Sequence, residues 1–300
     1  MKTFMYNLFA ACGRFCGLWV VAVFAWSVST GYFILLPKRV AISVRFYKAL
    51  FPERGKLFAL WCTWRQYHHF ATVYVDRLHI KWGGEVEYET DGWDRIAQAG
   101  EEGRNGVLLT THFGNWEASA VAFQKQGIDL MLYMGIQPKE QIEKQIKQDL
   151  SDRGLKIVAV SKDNASPLDG LDGLDFLKNK GFVAMAGDRL WKEGQRVLKL
   201  PFLQHEVSLP RAPFALAQLA GAPIFVFYTI RTGRARYRIT LKSVIDIRVE
   251  SPKQRKEALL DAAAQFLDSL EEMLRQYPSH WYNFVEPFLG DRIDVERPGE

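Results

Sequence analysis

Residues 110–119 read Thr-Thr-His-Phe-Gly-Asn-Trp-Glu-Ala-Ser, placing the imidazole of His112 and the carboxylate of Glu117 five positions apart directly after the apolar run Val107, Leu108, Leu109. Histidine titrates close enough to neutrality to take a proton from a hydroxyl. A carboxylate beside it can fix the imidazole tautomer and stabilise the imidazolium that forms. Positioned proton transfer of this kind is typically worth about 10²–10⁴ in rate. On one straight helix the two side chains cannot cooperate, because five residues turn about 500° and leave them roughly 140° apart. The spacing works if His112 ends a strand, Gly114 makes a tight turn and Asn115 caps the following helix, so that Glu117 lies in its first turn and reaches back to the imidazole. The same spacing also suits a hydrogen-bonded strand-end histidine and a first-turn glutamate that merely complements the helix dipole. The chain has no Gly-x-Ser-x-Gly and no cysteine near a plausible base in sequence, so no activated serine or cysteine nucleophile is apparent.

The elements that must hold these groups can be read from hydropathy. From about residue 80 onward, β-branched and aliphatic runs alternate with amphipathic stretches, which specifies an α/β fold with a mixed central sheet flanked by helices. Strands are expected at 79–89, 107–111, 129–134, 155–161, 181–187, 223–230 and 236–247, with helices between most of them. A helix over 138–153 opens with Pro138 and ends at Gly154. A second is bounded by Ser251, Pro252 and Gln254 in a capping box and stops before Pro278. Ile230 to Arg236 reads as a hairpin turn. No repeat, linker or boundary interrupts residues 79–300.

The N-terminal stretch differs. Phe15 to Leu36 carries no charged residue and is long enough to cross a hydrocarbon core of about 30 Å as a helix. A signal peptide is the rival reading; the run is too long for one and lacks a convincing cleavage site. Lys38, Arg39, Arg45 and Lys48 outnumber Lys2 and Arg14 as flanking charge, which places the remainder on the cytoplasmic face of the membrane. Three segments are therefore expected: a transmembrane helix and flank at 1–40, interfacial helices at 41–78 where aromatic and basic residues alternate, and the α/β domain at 79–300.

Three hundred residues with 48% hydrophobic composition can bury a sizeable core, and a formal charge of +5 favours an anionic partner. Without a helix-turn-helix, zinc-finger or RNP pattern, charge alone does not make a nucleic-acid binder. The three cysteines form no metal-ligand spacing. A metal-dependent hydrolase using His112 and Glu117 with His68, His69 or His205 lacks HExxH, and Asp169, Asp172 and Asp175 are spaced unlike a calcium loop. No metal or cofactor is expected.

The element His-Phe-Gly-Asn-Trp-Glu after a hydrophobic strand resembles that of the bacterial lauroyl/myristoyl lipid A acyltransferases, within the H-x4-D/E glycerolipid acyltransferase superfamily. Met185 to Trp191 (MAGDRLW), Leu200 to Tyr228 (LPFLQHEVSLPRAPFALAQLAGAPIFVFY) and Tyr277 to Phe284 (YPSHWYNF) are similar to later blocks of that family, and a less studied branch fits better. The resemblance implies a glycerolipid acyltransferase-like fold and transfer of a fatty acyl group from an acyl carrier protein thioester to a hydroxyl of a membrane glycolipid. It implies His112 as general base, oriented by Glu117, with Gly114 and Asn115 supporting the oxyanion or the turn and Asp188 and Arg189 binding substrate. Two departures leave the acceptor open between lipid A and a related lipid. Tyr133-Met134-Gly135-Ile136 stand where relatives carry Arg-Pro, and Gln204-His205 stand where a glycine is usual. A membrane-anchored lipid-binding or scaffold protein of the same fold remains the non-enzymatic alternative.

Overall fold

The computed structural model describes residues 17–136, 150–151, 154–161, 167–190, 194–249 and 251–289. Helix α1 (Leu18–Leu35) is the one described helix long and apolar enough to cross a membrane, with a mean hydropathy of 1.8. Two of its hydroxyls are satisfied within the helix: Ser27 and Thr30 donate to the carbonyls four residues back, at 2.9 and 3.0 Å. Helix α2 (Pro37–Leu50) opens with proline at its first position, and α3 (Lys56–Lys81) packs against both α1 and α2. Trp26 meets Trp64 edge-on, Ser29 Oγ donates to the Tyr67 carbonyl, and Val21 packs with Val75 and Leu78.

The remaining elements run β1 (Glu87–Asp91), α4 (Trp93–Glu101), β2 (Val107–Thr110), α5 (Trp116–Lys125), β3 (Leu130–Ile136), β4 (Lys156–Ser161), α6 (Pro167–Lys178), β5 (Phe182–Ala186), β6 (Val197–Phe202), β7 (His205–Pro210), α7 (Ala212–Ala220), β8 (Ile224–Gly233), β9 (Arg236–Ile245), α8 (Arg255–Gln276) and β10 (Phe288–Leu289). Seven strands form one mixed sheet in the order β1-β9-β8-β2-β5-β3-β4, in which the β8–β9 pair alone is antiparallel. Strand β2 is central because Val107, Leu108 and Leu109 are wholly buried, apolar on both faces as a covered parallel strand must be. Leu109, Val183 and Val226 pack on one side with α8; Leu108, Ala184 and Phe225 pack on the other with Ile96 of α4 and Phe123 of α5.

The structure corrects one expectation of element placement. The stretch expected as a strand from residue 79 is still helical to Lys81, and the strand begins at Glu87 after a turn through Gly83 and Gly84. Residues 197–210 form the β6–β7 hairpin of a small sheet with β10, and α7 follows with Pro213 in its first turn. Pro201 and Pro210 sit in that hairpin, positions an edge or strand end tolerates. The capping box at Ser251 and Gln254 is present and starts a short 3-10 turn before α8. The helix expected at 138–153 falls largely outside the described residues.

Candidate active site

The parallel pairing of β2 with β5 sets the centre of the site. Thr110 is in register with Ala186, so the residues two positions beyond, His112 and Asp188, leave adjacent strand ends side by side. Asp188 Oδ1 lies 2.9 Å from His112 Nδ1, and Asp188 Oδ2 accepts from the His112 backbone N–H at 2.8 Å. The same Oδ2 accepts from Trp281 Nε1–H at 2.7 Å. The Asp188 side chain is 1% exposed and that of His112 is 30% exposed, so the carboxylate is sealed while the imidazole reaches the surface. Burial pushes the Asp188 carboxyl up, but His112 and the hydrogen bonds from His112 and Trp281 outweigh it and hold the group below its ordinary value. An ionised carboxylate only accepts, so the hydrogen facing it sits on Nδ1, and a neutral His112 then carries its lone pair on Nε2.

Trp281 reaches Asp188 because the segment after α8 returns to the site. Phe113 bridges antiparallel to Trp281; the Gly114 N–H donates to the His280 carbonyl and the Tyr282 N–H to the His112 carbonyl, both at 2.7 Å. The aromatic block near the C-terminus is therefore part of the site, a placement no spacing in the sequence discloses. Gly114 has φ +65°, and a Cβ there would fall 1.6 Å from the Thr229 carbonyl oxygen. Only glycine fits that turn.

Asn115 caps α5: its Oδ1 accepts from the Ala118 N–H at 3.3 Å, and its Nδ2 donates to the Tyr237 hydroxyl at 3.1 Å. Both ends of this amide are thus used within the protein. Glu117 lies in the first turn of α5, as expected, but its carboxylate does not hold the imidazole. It is gripped by Arg77 of α3, with Nε to Oε2 at 2.8 Å and Nη2 to Oε1. The expectation that Glu117 orients His112 is corrected on this point: the carboxylate on Nδ1 is Asp188. The reason is geometric, since Asp188 shares the strand-end register with His112 whereas Glu117 belongs to the helix beyond the turn.

Arg189 follows Asp188, half-buried, and no ion pair to it is formed by the described residues. The other histidines weighed with the site serve packing. His68 bonds the Trp64 carbonyl and Thr30, and His205 stacks on Phe288. Among the described residues no three His, Cys, Asp or Glu side chains group to hold a metal ion. The departure at Gln204 falls on the β6–β7 turn, where Leu203 and Gln204 have φ of 51° and 62°, the left-handed region that favours glycine. Tyr133 to Ile136 lie within β3. Beside the site, a small apolar crevice lies between α5 and the sheet, lined by Leu108, Thr110, Trp116, Ala120, Leu132 and Phe227 among others.

An imidazole backed by a sealed carboxylate, at the ends of central strands and under a helix start, defines an α/β enzyme equipped to move a proton. The bacterial lipid A biosynthesis acyltransferase model matches residues 71–289, and the chain belongs to that family. It is an acyltransferase, of a family acting on lipid A-like lipids. Comparison with curated proteins gives no match.

Proposed function

We propose that the protein is a membrane-bound O-acyltransferase that moves a fatty acyl group from an acyl carrier protein thioester to a hydroxyl of a membrane glycolipid, lipid A or a related lipid. His112 Nε2 removes the proton of the acceptor hydroxyl, and the alkoxide attacks the thioester carbonyl. The tetrahedral intermediate collapses with cleavage of the C–S bond, and His112 returns its proton to the departing thiolate. Asp188 holds Nδ1 and stabilises the imidazolium. Glu117, held by Arg77 in the first turn of α5, fixes the start of the helix that follows the His112 turn. Gly114 and Asn115 build the turn that presents His112, and the Arg189 guanidinium takes an anionic group of the substrate.

The observation that carries this reading is the 2.9 Å contact between His112 Nδ1 and a carboxylate whose side chain is 1% exposed, in a chain of this family. Helix α1 and the exposed Leu57 and Trp61 of α3, with Arg54 and Lys56 nearby, suit a protein seated in the inner membrane with its α/β domain on the cytoplasmic face.

The test is mass spectrometry of membrane lipids from cells with and without the protein, together with the His112→Ala variant. A glycolipid that gains one acyl chain only with the wild type is expected. Identical lipids in all three strains would support the non-catalytic lipid-binding reading instead.

A further inference from the structure

Asp76 and Arg77 are consecutive residues of α3, and each is committed to a different part of the turn that carries His112. The Asp76 carboxylate is fully buried. It accepts from Arg231 Nε and Nη2 at 2.7 and 3.0 Å, from the Ala235 N–H at 3.3 Å and from the Tyr237 hydroxyl at 2.5 Å. The Tyr237 hydroxyl donates its hydrogen to Asp76, so its oxygen is the acceptor for Asn115 Nδ2, and Asn115 in turn caps α5. One residue on, Arg77 forks onto Glu117 and lies over the Tyr74 ring at 4.9 Å, which fixes the plane of the guanidinium. A carboxylate and a guanidinium from one rigid helix thereby grip the N-cap and the first turn of α5 together.

Other residues of α3 hold the apolar helix α1, through Trp26 on Trp64, Thr30 on His68 at 3.1 Å and Ser29 on the Tyr67 carbonyl at 3.3 Å. The helix that seats the protein on its membrane anchor is therefore also the helix that aligns the His112 turn.

We propose that Arg77 and Asp76 are positioning residues for acyl transfer, through which the α1–α3 pair sets the geometry of the turn from His112 to Glu117. The inference rests on the acyltransferase reading above. Arg77 never touches the reacting atoms; it fixes Glu117, and Asp76 fixes Asn115 through Tyr237. A small displacement of such a turn is enough to cost on the order of 10²-fold in rate.

The test compares Arg77→Met, Arg77→Lys and Tyr237→Phe in the full-length, detergent-purified protein, with His112→Ala as the reference for lost chemistry and a thermal melt for each. Arg77→Met should lower kcat by roughly 10- to 100-fold, with KM changed less than about two-fold. Arg77→Lys, which keeps the charge but not the fork, should recover part of that loss. Tyr237→Phe, whose hydroxyl alone is removed, should lower kcat in the same way, and it carries the test if Arg77→Met does not fold. Wild-type kcat in Arg77→Met and Tyr237→Phe, beside an inactive His112→Ala, would overturn the positioning role and leave the acyltransferase reading standing. A fall in kcat that tracks the melting temperature across the set would equally overturn it, by showing a purely structural role. An active His112→Ala would instead remove the acyltransferase reading on which the proposal rests.

Discussion

Two carboxylates stand on the elements that meet at the His112 turn, Asp188 and Glu117, and they are held in different ways. On the strand side, Asp188 is sealed at 1% side-chain exposure and accepts three hydrogen bonds, two from His112 itself and one from Trp281. On the helix side, Glu117 is 14% exposed and bound by Arg77, from a helix 40 residues upstream. The strand side inherits its precision from the parallel register of β2 and β5, in which a one-residue slip would exchange the two differently packed buried faces of β2. The helix side depends on how α3 lies on the sheet, and α3 also packs on the apolar helix α1. Orientation of His112 is thus local to the sheet, whereas the turn that carries it is tied to the helix that packs on the apolar α1.

Substitutions can break that contrast, beginning with the largest effect. Gly114→Ala places a methyl group against the Thr229 carbonyl at a positive φ, so the turn joining the two sides cannot form. Loss of the cooperative melt is expected, measured by circular dichroism; a wild-type melting temperature would contradict the close approach. Asp188→Asn comes next. It presents an amide to Nδ1 and removes the charge that stabilises the imidazolium, so kcat should fall by roughly 10²–10⁴. Trp281→Phe keeps the ring and deletes one donor to Asp188 Oδ2. A loss of about tenfold in kcat is expected, in line with about 1.5 kcal/mol for a hydrogen bond to a charged group. An unchanged rate would show that the C-terminal segment only packs against the strand side. Asn115→Ala on the helix side removes the cap and a partner of Tyr237, and should lower stability by about 1 kcal/mol in denaturant unfolding.

The two sides should also titrate in different windows. His69 of α3 is held neutral, to about 4, first by burial and then by the neighbouring His280. In the unfolded chain its value is about 6.5. The unfolded state then binds more protons between these values, so this contribution is complete above pH 6.5 and is lost as pH falls toward 4. Asp188 is lowered from the carboxylate range, so its contribution survives that window and is lost only as pH falls below about 3.9 toward its folded value. Unfolding free energies measured across pH 7 to 4 should decline in the wild type and decline less in His69→Gln. Equal slopes in the two would mean that His69 is not a buried neutral group.

Much of this arrangement is legible in the sequence because it is local. The hydrophobic runs mark the strands of the large sheet, the glycine after Phe113 marks the turn, and Ser251 with Gln254 marks the start of the last helix. The partner of His112 is not legible in this way. Asp188 is 76 residues away in sequence, and its place beside the imidazole follows from which strands are neighbours and in what register. Both residues stand two positions past the end of an apolar strand, a signal that becomes informative once β2 and β5 are known to pair. The spacing from His112 to Glu117 points to the right turn and helix, yet it cannot reveal that Arg77 competes for the glutamate. The helical end of α3 is missed because His79-Ile80-Lys81 is too short a stretch for periodicity to assign.

The central claim is that Asp188 fixes His112 with its hydrogen on Nδ1 and leaves Nε2 as the basic nitrogen. It is tested most directly by ¹⁵N chemical shifts of His112 in selectively labelled protein above the pH at which the ring protonates, with His112→Gln to assign the signals. Wild type should show a protonated Nδ1 and an unprotonated Nε2, and Asp188→Asn should lose that preference. A wild-type ring protonated on Nε2, with its lone pair on Nδ1, would contradict the claim.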